Sequence, residues 1–194
     1  MNAAEDYTKI KVGDEYFVMA DALISSLFKP EEYEKVETKK GKEFERRRYE
    51  PLFDFVKDKY EGKAWFITLA DYVTLSDGTG VVHTAPAFGE DDNRVCSRYD
   101  MPFLQFVDGK GEMTDNTPYA GKFVKEADPL VLKDLDAAGL LFDAPKFEHE
   151  YPHCWRCDTP LIYYARESWY IKETAVRDDL IRNNNTVNWI PESI

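Results

Sequence analysis

The sequence has 194 residues, 43% hydrophobic and 14% aromatic, which is enough for one sizeable domain with or without an appendage. A formal net charge of −12 counts against a stand-alone DNA binder, because such proteins usually present a basic face. No apolar run reaches the roughly 18 residues of a membrane span. Three cysteines without a signal peptide favour a cytoplasmic setting over a disulfide scaffold. The chain enters a strand pattern almost at once and stops without a tail, so we expect an excised piece of a longer protein.

The N-terminal half predicts short strands joined by glycine turns. Two strands meeting at Gly13–Asp14 have the pattern of a hairpin. Helical spacing over 20–28 predicts a helix that Pro30 ends. Alternation over 33–55 predicts a second hairpin with its turn at Lys40–Gly41, and 64–88 has the pattern of a strand, a turn and a strand.

Helices and one further strand pair are predicted in the second half. Residues 90–100 suit a short helix with Val95 and Tyr99 facing inward, and 102–114 again suits two strands around a glycine turn. The clearest helix lies within 126–142. Asp128 is placed to cap it, Pro129 to occupy its first position and Gly139 to end it.

The character of the chain changes at about Phe147, where an aromatic, cysteine-bearing segment begins before an amphipathic helix over 173–184. The predicted fold class is therefore α+β. We expect a β-rich, barrel-like domain with short helices over 1–146, and a C-terminal connector over 147–194.

The stretch "GTGVVHTAPAFGEDDN" over 78–93 has the composition of a pocket rim, in which glycines permit tight turns and the close approach of a ligand. Alternation sets His83 opposite to its two neighbours, although a lone histidine in such a run is more often structural. Asp91 and Asp92 follow Gly89 in a predicted loop. They suit either a solvated turn that caps the next helix or a carboxylate that pairs with a cationic ligand such as an α-ammonium group.

The same stretch resembles the signature of the editing domain of isoleucyl-tRNA synthetases, the insertion called connective polypeptide 1. "CWRCDTPLIYYARESWYI" over 154–171 resembles the segment that leads this insertion back toward the aminoacylation core. The related valine and leucine enzymes typically lack a histidine at position 83. "PLFDF" and "GTGVVH" look most like the eukaryotic-type branch, which some bacteria also possess. The resemblance covers essentially the whole chain and implies the barrel-like editing fold of these class I synthetases.

The resemblance also implies a reaction. Valine lacks one methylene of isoleucine, which a hydrophobic pocket discriminates by only about 1–3 kcal/mol, a limit for which isoleucyl-tRNA synthetases are themselves the standard example. A second, smaller pocket therefore hydrolyses valyl-tRNA(Ile), with valyl-adenylate as a further candidate, while the parent enzyme ligates isoleucine to tRNA(Ile) using ATP and Mg²⁺. Hydroxyls and backbone groups, rather than a metal, would position the attacking water.

Two residues carry the catalytic site by this resemblance. Asp92, nine residues after the histidine, would hold the α-ammonium group of the misplaced valine, and His83 would line the pocket and help reject isoleucine. The rest of the rim would contact the substrate through Gly78, Thr79, Gly80, Val82, Thr84, Ala85, Pro86, Phe88, Gly89 and Asp91.

Two departures from the family pattern stand out. The family's second pocket wall is a threonine-rich peptide before the first strand, but Thr8 is the only threonine before Thr38 here. The resemblance therefore implies an incomplete pocket in this chain. Asn93 stands where an aromatic or aliphatic residue is more usual.

Cys154 and Cys157 have the spacing of half a tetrathiolate zinc site. Cys96 is a poor third ligand because it lies in the editing region, whereas His149 and His153 are candidate substitutes. Some family members complete a zinc site with an earlier cysteine pair, which this sequence lacks. We therefore expect two free thiols and no cofactor in this chain.

A basic run over 39–48 stands out against the acidic background. Its arginines, Arg46, Arg47 and Arg48, could contact phosphates of a tRNA acceptor end, or could simply be the solvated edge of a hairpin. The expected partners are the acceptor end of tRNA(Ile) carrying valine and the rest of the synthetase, with no membrane and no DNA.

Two alternatives stay open from the sequence. One is the editing domain of a valine enzyme, which would clear threonine, although His83 argues against it. The other is a non-catalytic zinc-ribbon or tRNA-docking module, in which the acidic stretch only caps a helix.

Overall fold

A computed structural model describes residues 1–60, 62–146 and 150–191. The chain divides into two compact units, Met1–Tyr164 and Ala165–Ile194. This division reflects compactness alone, so the functional boundary predicted between 146 and 147 stays a prediction. Within the described residues, no helix is both long and apolar enough to span a membrane.

The first unit is built on a three-stranded antiparallel sheet. Its strands are β1 (Asp6–Val12), β2 (Glu15–Ala20) and β3 (Glu34–Lys40), in the order β2-β1-β3. β1 and β2 form the predicted hairpin, in which Gly13 adopts a φ of +59° that a side chain would disfavour. Together with the helices described next, this sheet confirms the α+β class, while the barrel-like editing fold stays a prediction.

Short helices connect and follow these strands. The helix predicted over 20–28 is present as a 3-10 turn followed by one α-turn. In chain order the helical segments are a 3-10 turn at Asp21–Leu23, α1 (Ile24–Leu27), a 3-10 turn at Gly41–Phe44, α2 (Lys57–Tyr60), α3 (Glu90–Arg98), α4 (Val124–Ala137), a 3-10 turn at Glu173–Ala175 and α5 (Arg177–Asn184). The last two belong to the second unit.

The hairpin predicted across Lys40–Gly41 is wrong. β3 ends at Lys40, a 3-10 turn follows, and β3 pairs instead with β1. Packing explains the difference, because a Cβ on Gly41 would lie 1.9 Å from the carbonyl oxygen of Asn2. Gly41 is therefore held against the N-terminal segment.

The strands predicted over 64–88 are also absent, yet side-chain burial alternates along 64–70. Ala64, Phe66, Thr68 and Ala70 are buried, while the residues between them are half-buried. Their segment shares backbone hydrogen bonds with 46–49 and forms a single β-bridge, Arg48 to Phe66. Arg46 and Trp65 both have positive φ, which interrupts a regular ladder.

Two further predictions need correction. The pattern at 102–114 gives one isolated bridge, Val107 to Met113, rather than two strands. α4 begins at Val124, so Asp128 does not cap it and Pro129 lies inside it. The preceding turn sets this start, because the Val124 N–H donates to the Gly111 carbonyl at 3.0 Å. Gly139 ends α4 with a φ of +67°, as predicted.

Tyr7 joins the sheet to the loop that follows it. The ring is fully buried beside Ala20, Leu23 and Phe44. Its hydroxyl donates to the Gly80 carbonyl at 2.7 Å and accepts from the Asn2 N–H at 2.9 Å.

Replacing Tyr7 with phenylalanine should therefore lower the free energy of unfolding by about 1.5 kcal/mol, since it leaves two buried backbone groups without a partner. Denaturant titration of both chains measures the change. Tyr16→Phe is the control, because that side chain is 54% exposed and its variant should stay within about 0.5 kcal/mol. Equal effects of the two variants would contradict the assigned role of Tyr7.

Candidate functional site

The glycine turn at 78–80 is fixed to the sheet. The Ala20 N–H donates to the Thr79 carbonyl at 2.9 Å, beside the bond from Tyr7 to Gly80. Gly80 has a φ of +70°, and a Cβ there would lie 2.5 Å from the Cβ of Ala20. Gly80 thus allows the chain to pass close to the end of β2. Gly78 has a φ of +66° and faces open space.

After this turn the chain runs through an exposed apolar lip, which we define as Val81, Val82 and His83. The two valines are 42% and 46% exposed, and His83 is exposed as well. The strand predicted for this run is absent, and the following residues turn back toward the protein, with the Phe88 N–H donating to the Ala85 carbonyl at 3.0 Å.

The acidic residues lie in the first turn of α3, which confirms the helix predicted over 90–100 and corrects their placement in a loop. Gly89 is the N-cap, and no side chain caps the helix. Asp91 is exposed and pairs with Arg94 at 3.1 Å. Asp92 behaves differently, because its side chain is half-buried and bonds to the loop before the helix.

Two donors hold the Asp92 carboxylate. The Tyr72 hydroxyl donates to Oδ1 at 2.8 Å, and the Ala85 N–H donates to Oδ2 at 3.1 Å. A carboxylate offers about four acceptor positions, so roughly two remain for a cation. The helix N-terminus also favours a negative charge at this position. The arrangement is that of an oriented carboxylate with unused acceptor capacity.

The charge of Asp92 affects the pKa values of two neighbours. Burial, followed by the hydrogen bond to Asp92, raises the pKa of Tyr72 to about 12, while the nearby Thr84 hydroxyl acts in the opposite direction. Burial, and then the Asp92 charge, raises the pKa of the Cys96 thiol. Tyr72 therefore remains a protonated donor at neutral pH.

The loop before α3 is tied to the helix at further points. The Asn93 amide donates to the Pro86 carbonyl at 3.1 Å, which gives this departure from the family pattern a structural role. A Cβ on Gly89 would lie 3.0 Å from Oδ2 of Asp92, so glycine leaves room for the carboxylate. The structure thus brings Thr84, Ala85 and Asp92 together around Tyr72, a residue that the sequence interpretation missed.

A shallow cavity of about 550 Å³ lies on the other side of α3, lined by Glu90, Asn93, Arg94, Ser97 and Arg98. Neither His83 nor Asp92 lines it. Arg94 is already paired with Glu90 and Asp91, and Arg98 donates to the Leu69 carbonyl. Because its charged lining is already paired, we place the site at the Asp92 carboxylate rather than in this cavity.

The three arginines of the basic run are exposed, and two of them pack on aromatic rings. The guanidinium of Arg46 lies 5.2 Å from the ring of Tyr99, and that of Arg47 lies 4.7 Å from the ring of Phe44. Arg48 donates to the Gly62 carbonyl at 3.0 Å. Their contact with tRNA stays a prediction, but their hairpin-edge interpretation fails with the missing hairpin.

Cys154 and Cys157 lie in a separate turn. The Cys154 N–H donates to the Thr159 carbonyl, and the Cys157 sulfur lies 3.2 Å from the Thr159 hydroxyl, which lowers the pKa of Cys157. Within the described residues, no group of three metal-binding side chains is present. His149 lies outside the described residues. Two cysteine sulfurs are half of the four ligands of a structural zinc, so the absence of metal from this chain stays a prediction.

Comparisons with known proteins give the relatives of this chain. It is 47% identical to the isoleucine–tRNA ligase of Clostridium novyi over 196 residues, covering all of this chain and 18% of the relative. It is 43% identical to the ligase of Dehalococcoides mccartyi over 208 residues, again covering the whole chain and 20% of that relative. The ligase of Bacillus thuringiensis is 43% identical over 188 residues, which cover 96% of the chain. No protein-family model matches.

These relatives are much longer than the chain, which spans about a fifth of their length. The similarity nevertheless extends over the whole of this chain. The chain is therefore homologous to one internal segment of the isoleucine–tRNA ligases.

Proposed function

We propose that this chain is the editing domain of an isoleucine–tRNA ligase, which hydrolyses valine from mischarged tRNA(Ile) and has valyl-adenylate as a further candidate substrate. The observation that carries the proposal is the half-buried Asp92 carboxylate, fixed by two donors and still able to accept a cation. An aminoacyl ester presents such a cation, its α-ammonium group, next to the carbonyl that water must attack.

The position of the carboxylate supports this chemistry. A charge-assisted bond between Asp92 and the ammonium group would fix the ester without touching its carbonyl, which is left open to a positioned water. Ala85 lies in this loop, and two residues earlier the exposed His83 ends the apolar lip. An apolar surface with one polar end suits an aliphatic side chain joined to a ribose. Selectivity would then depend on how far a side chain can extend past His83.

The proposed partners follow from the same assignment. In the relatives the matching segment belongs to a chain about five times as long, so the rest of a synthetase is the proposed covalent partner. The acceptor end of tRNA(Ile) is the proposed nucleic-acid partner, and Arg46 to Arg48 are its candidate contacts. The valine-type alternative gains no support, because the relatives named above are isoleucine–tRNA ligases.

A chimera tests the proposal. This chain replaces the matching segment of the Clostridium novyi ligase, to which it is 47% identical. The chimera should hydrolyse valyl-tRNA(Ile) on the order of 100-fold faster than isoleucyl-tRNA(Ile), since an editing site hydrolyses only products small enough to enter it. His83→Ala should reduce this ratio to about tenfold by admitting isoleucine.

His153→Ala is the matched control, because it removes another exposed histidine, one that lies in the cysteine turn. It should leave the ratio unchanged. A chimera that charges isoleucine normally, yet hydrolyses valyl-tRNA(Ile) no faster than an enzyme lacking the segment, would contradict the proposed function. Preferential clearing of threonine from tRNA(Val) would indicate the valine-type alternative instead.

A further inference from the structure

We propose that Tyr72 is a positioning residue for editing, and that its hydroxyl holds the Asp92 carboxylate in the orientation that receives the substrate's α-ammonium group. This inference rests on the proposed function, because it assigns Tyr72 a role toward the group that Asp92 would bind. Tyr72 itself need not contact the substrate.

The geometry gives the hydroxyl a specific task. Rotation about the Cβ–Cγ bond costs a carboxylate held at one oxygen one hydrogen bond, whereas a carboxylate held at both oxygens loses two. The Ala85 N–H, in the loop, donates to Oδ2 at 3.1 Å, and the Tyr72 hydroxyl donates to the other oxygen, Oδ1, at 2.8 Å. Without Tyr72, only the loop contact would restrain the plane of the carboxylate.

Packing holds the Tyr72 ring in place, and the ring in turn presents its hydroxyl to Asp92. The Tyr72 ring packs against the buried cluster of Ala70, Val73 and Val95, the last of which lies on α3 with Asp92. The ring and the helix therefore share one apolar contact, which limits the rotamers of Tyr72 and presents its hydroxyl to the carboxylate. Such support by residues outside the binding contacts is how sites hold their geometry.

The chemical state of the hydroxyl agrees with this role. Because burial and Asp92 raise the pKa of Tyr72 to about 12, the phenol stays protonated throughout the neutral range and can donate a hydrogen bond. The tyrosine therefore adds no second negative charge that would compete with Asp92 for the ammonium group.

The chain supplies a matched control in a second pair of the same chemistry. The Tyr119 hydroxyl donates to Oδ2 of Asp134 at 2.6 Å, and the pKa of Tyr119 is also raised to about 12. This pair ties α4 to the preceding turn, and Asp134 is not among the residues placed in the site. Tyr119→Phe removes the same kind of bond with no expected effect on substrate recognition.

The experiment compares Tyr72→Phe and Tyr119→Phe in the chimera. A poorly oriented Asp92 carboxylate would weaken the binding of the substrate and of the transition state equally. Tyr72→Phe should therefore raise KM for valyl-tRNA(Ile) about tenfold and change kcat by less than about twofold. A merely structural loss would lower the folded fraction, and with it the apparent kcat, while KM stayed constant. Tyr119→Phe should change neither constant after correction for the folded fraction.

A double variant separates this inference from the proposed function. In the Asp92→Ala background, Tyr72→Phe should have no further effect, because the group it orients is gone. If Asp92→Ala abolishes editing but Tyr72→Phe leaves KM unchanged, the role of Tyr72 is overturned and the proposed function stands. If Asp92→Ala has no effect, both are overturned.

Discussion

Asp92→Ala in the chimeric synthetase is expected to slow hydrolysis of valyl-tRNA(Ile) by at least about 30-fold, while isoleucylation of tRNA(Ile) is unchanged. Truncating one partner of a partly desolvated, hydrogen-bonded charge pair costs about 2–5 kcal/mol, and the proposed ammonium contact is such a pair. The loss should appear in kcat/KM, measured as deacylation of purified valyl-tRNA(Ile). Aminoacylation with isoleucine serves as the internal measure of folding.

Two companion variants separate charge from position. Asp91→Ala removes the neighbouring carboxylate, which is exposed and bound to Arg94, and should stay within about twofold of the unmodified chimera. Asp92→Asn keeps the shape and one acceptor oxygen for Tyr72 or Ala85 but removes the charge. It should therefore behave like Asp92→Ala. An Asp92→Asn variant with full activity would mean that a hydrogen bond, and not an ion pair, holds the substrate.

The alanine variant also leaves the Tyr72 hydroxyl and the Ala85 N–H without their acceptor. Both lie beside the exposed lip, where water can replace the carboxylate, so we expect only a modest loss of stability. A thermal melt of the chain carrying Asp92→Ala checks this point. Equal losses of stability and of deacylation would indicate a structural role for Asp92 and would remove the support for the proposed function.

How far the sequence predicts this site depends on the kind of feature. The N-terminal hairpin and α3 were predictable, because an alternating pattern with a glycine turn and an amphipathic nine-residue run are local signals. Asp92 could be selected by resemblance alone. Periodicity could not separate it from Asp91, although one is half-buried and the other exposed.

Other features depend on contacts that no local pattern encodes. The pattern over 64–88 predicted strands, but no local signal predicted that Arg46 and Trp65 would take positive φ and break the ladder. The hydrogen bond from Tyr72 to Asp92 joins residues 20 positions apart, and nothing in the spacing identifies it. The start of α4 was misplaced because Pro129 is favourable at a first helical position, whereas the contact of Val124 with Gly111 begins the helix earlier.

Gly80→Ala is expected to lower the free energy of unfolding by about 3 kcal/mol, the largest stability effect that we predict for the chain. A left-handed backbone costs a non-glycine residue roughly 1–2 kcal/mol. The new methyl group adds an overpacking cost of about 1–3 kcal/mol, because it would lie 2.5 Å from the Cβ of Ala20. Thermal melts should show a decrease in Tm of roughly 6–12 °C.

A comparison with the neighbouring Gly78 separates the backbone part of this loss of stability from the packing part. Gly78 has nearly the same φ, +66°, but a Cβ there meets nothing within 4 Å, so Gly78→Ala should lose only the backbone part of about 1–2 kcal/mol. Adding Ala20→Gly to Gly80→Ala removes the opposing methyl group and should recover the packing part, as a favourable coupling energy in a double-mutant cycle. If Gly78→Ala and Gly80→Ala cost the same, the loop that carries the apolar lip is not packed against the end of β2 in solution. Gly80 and Tyr7 would then not be what anchors the lip to the sheet.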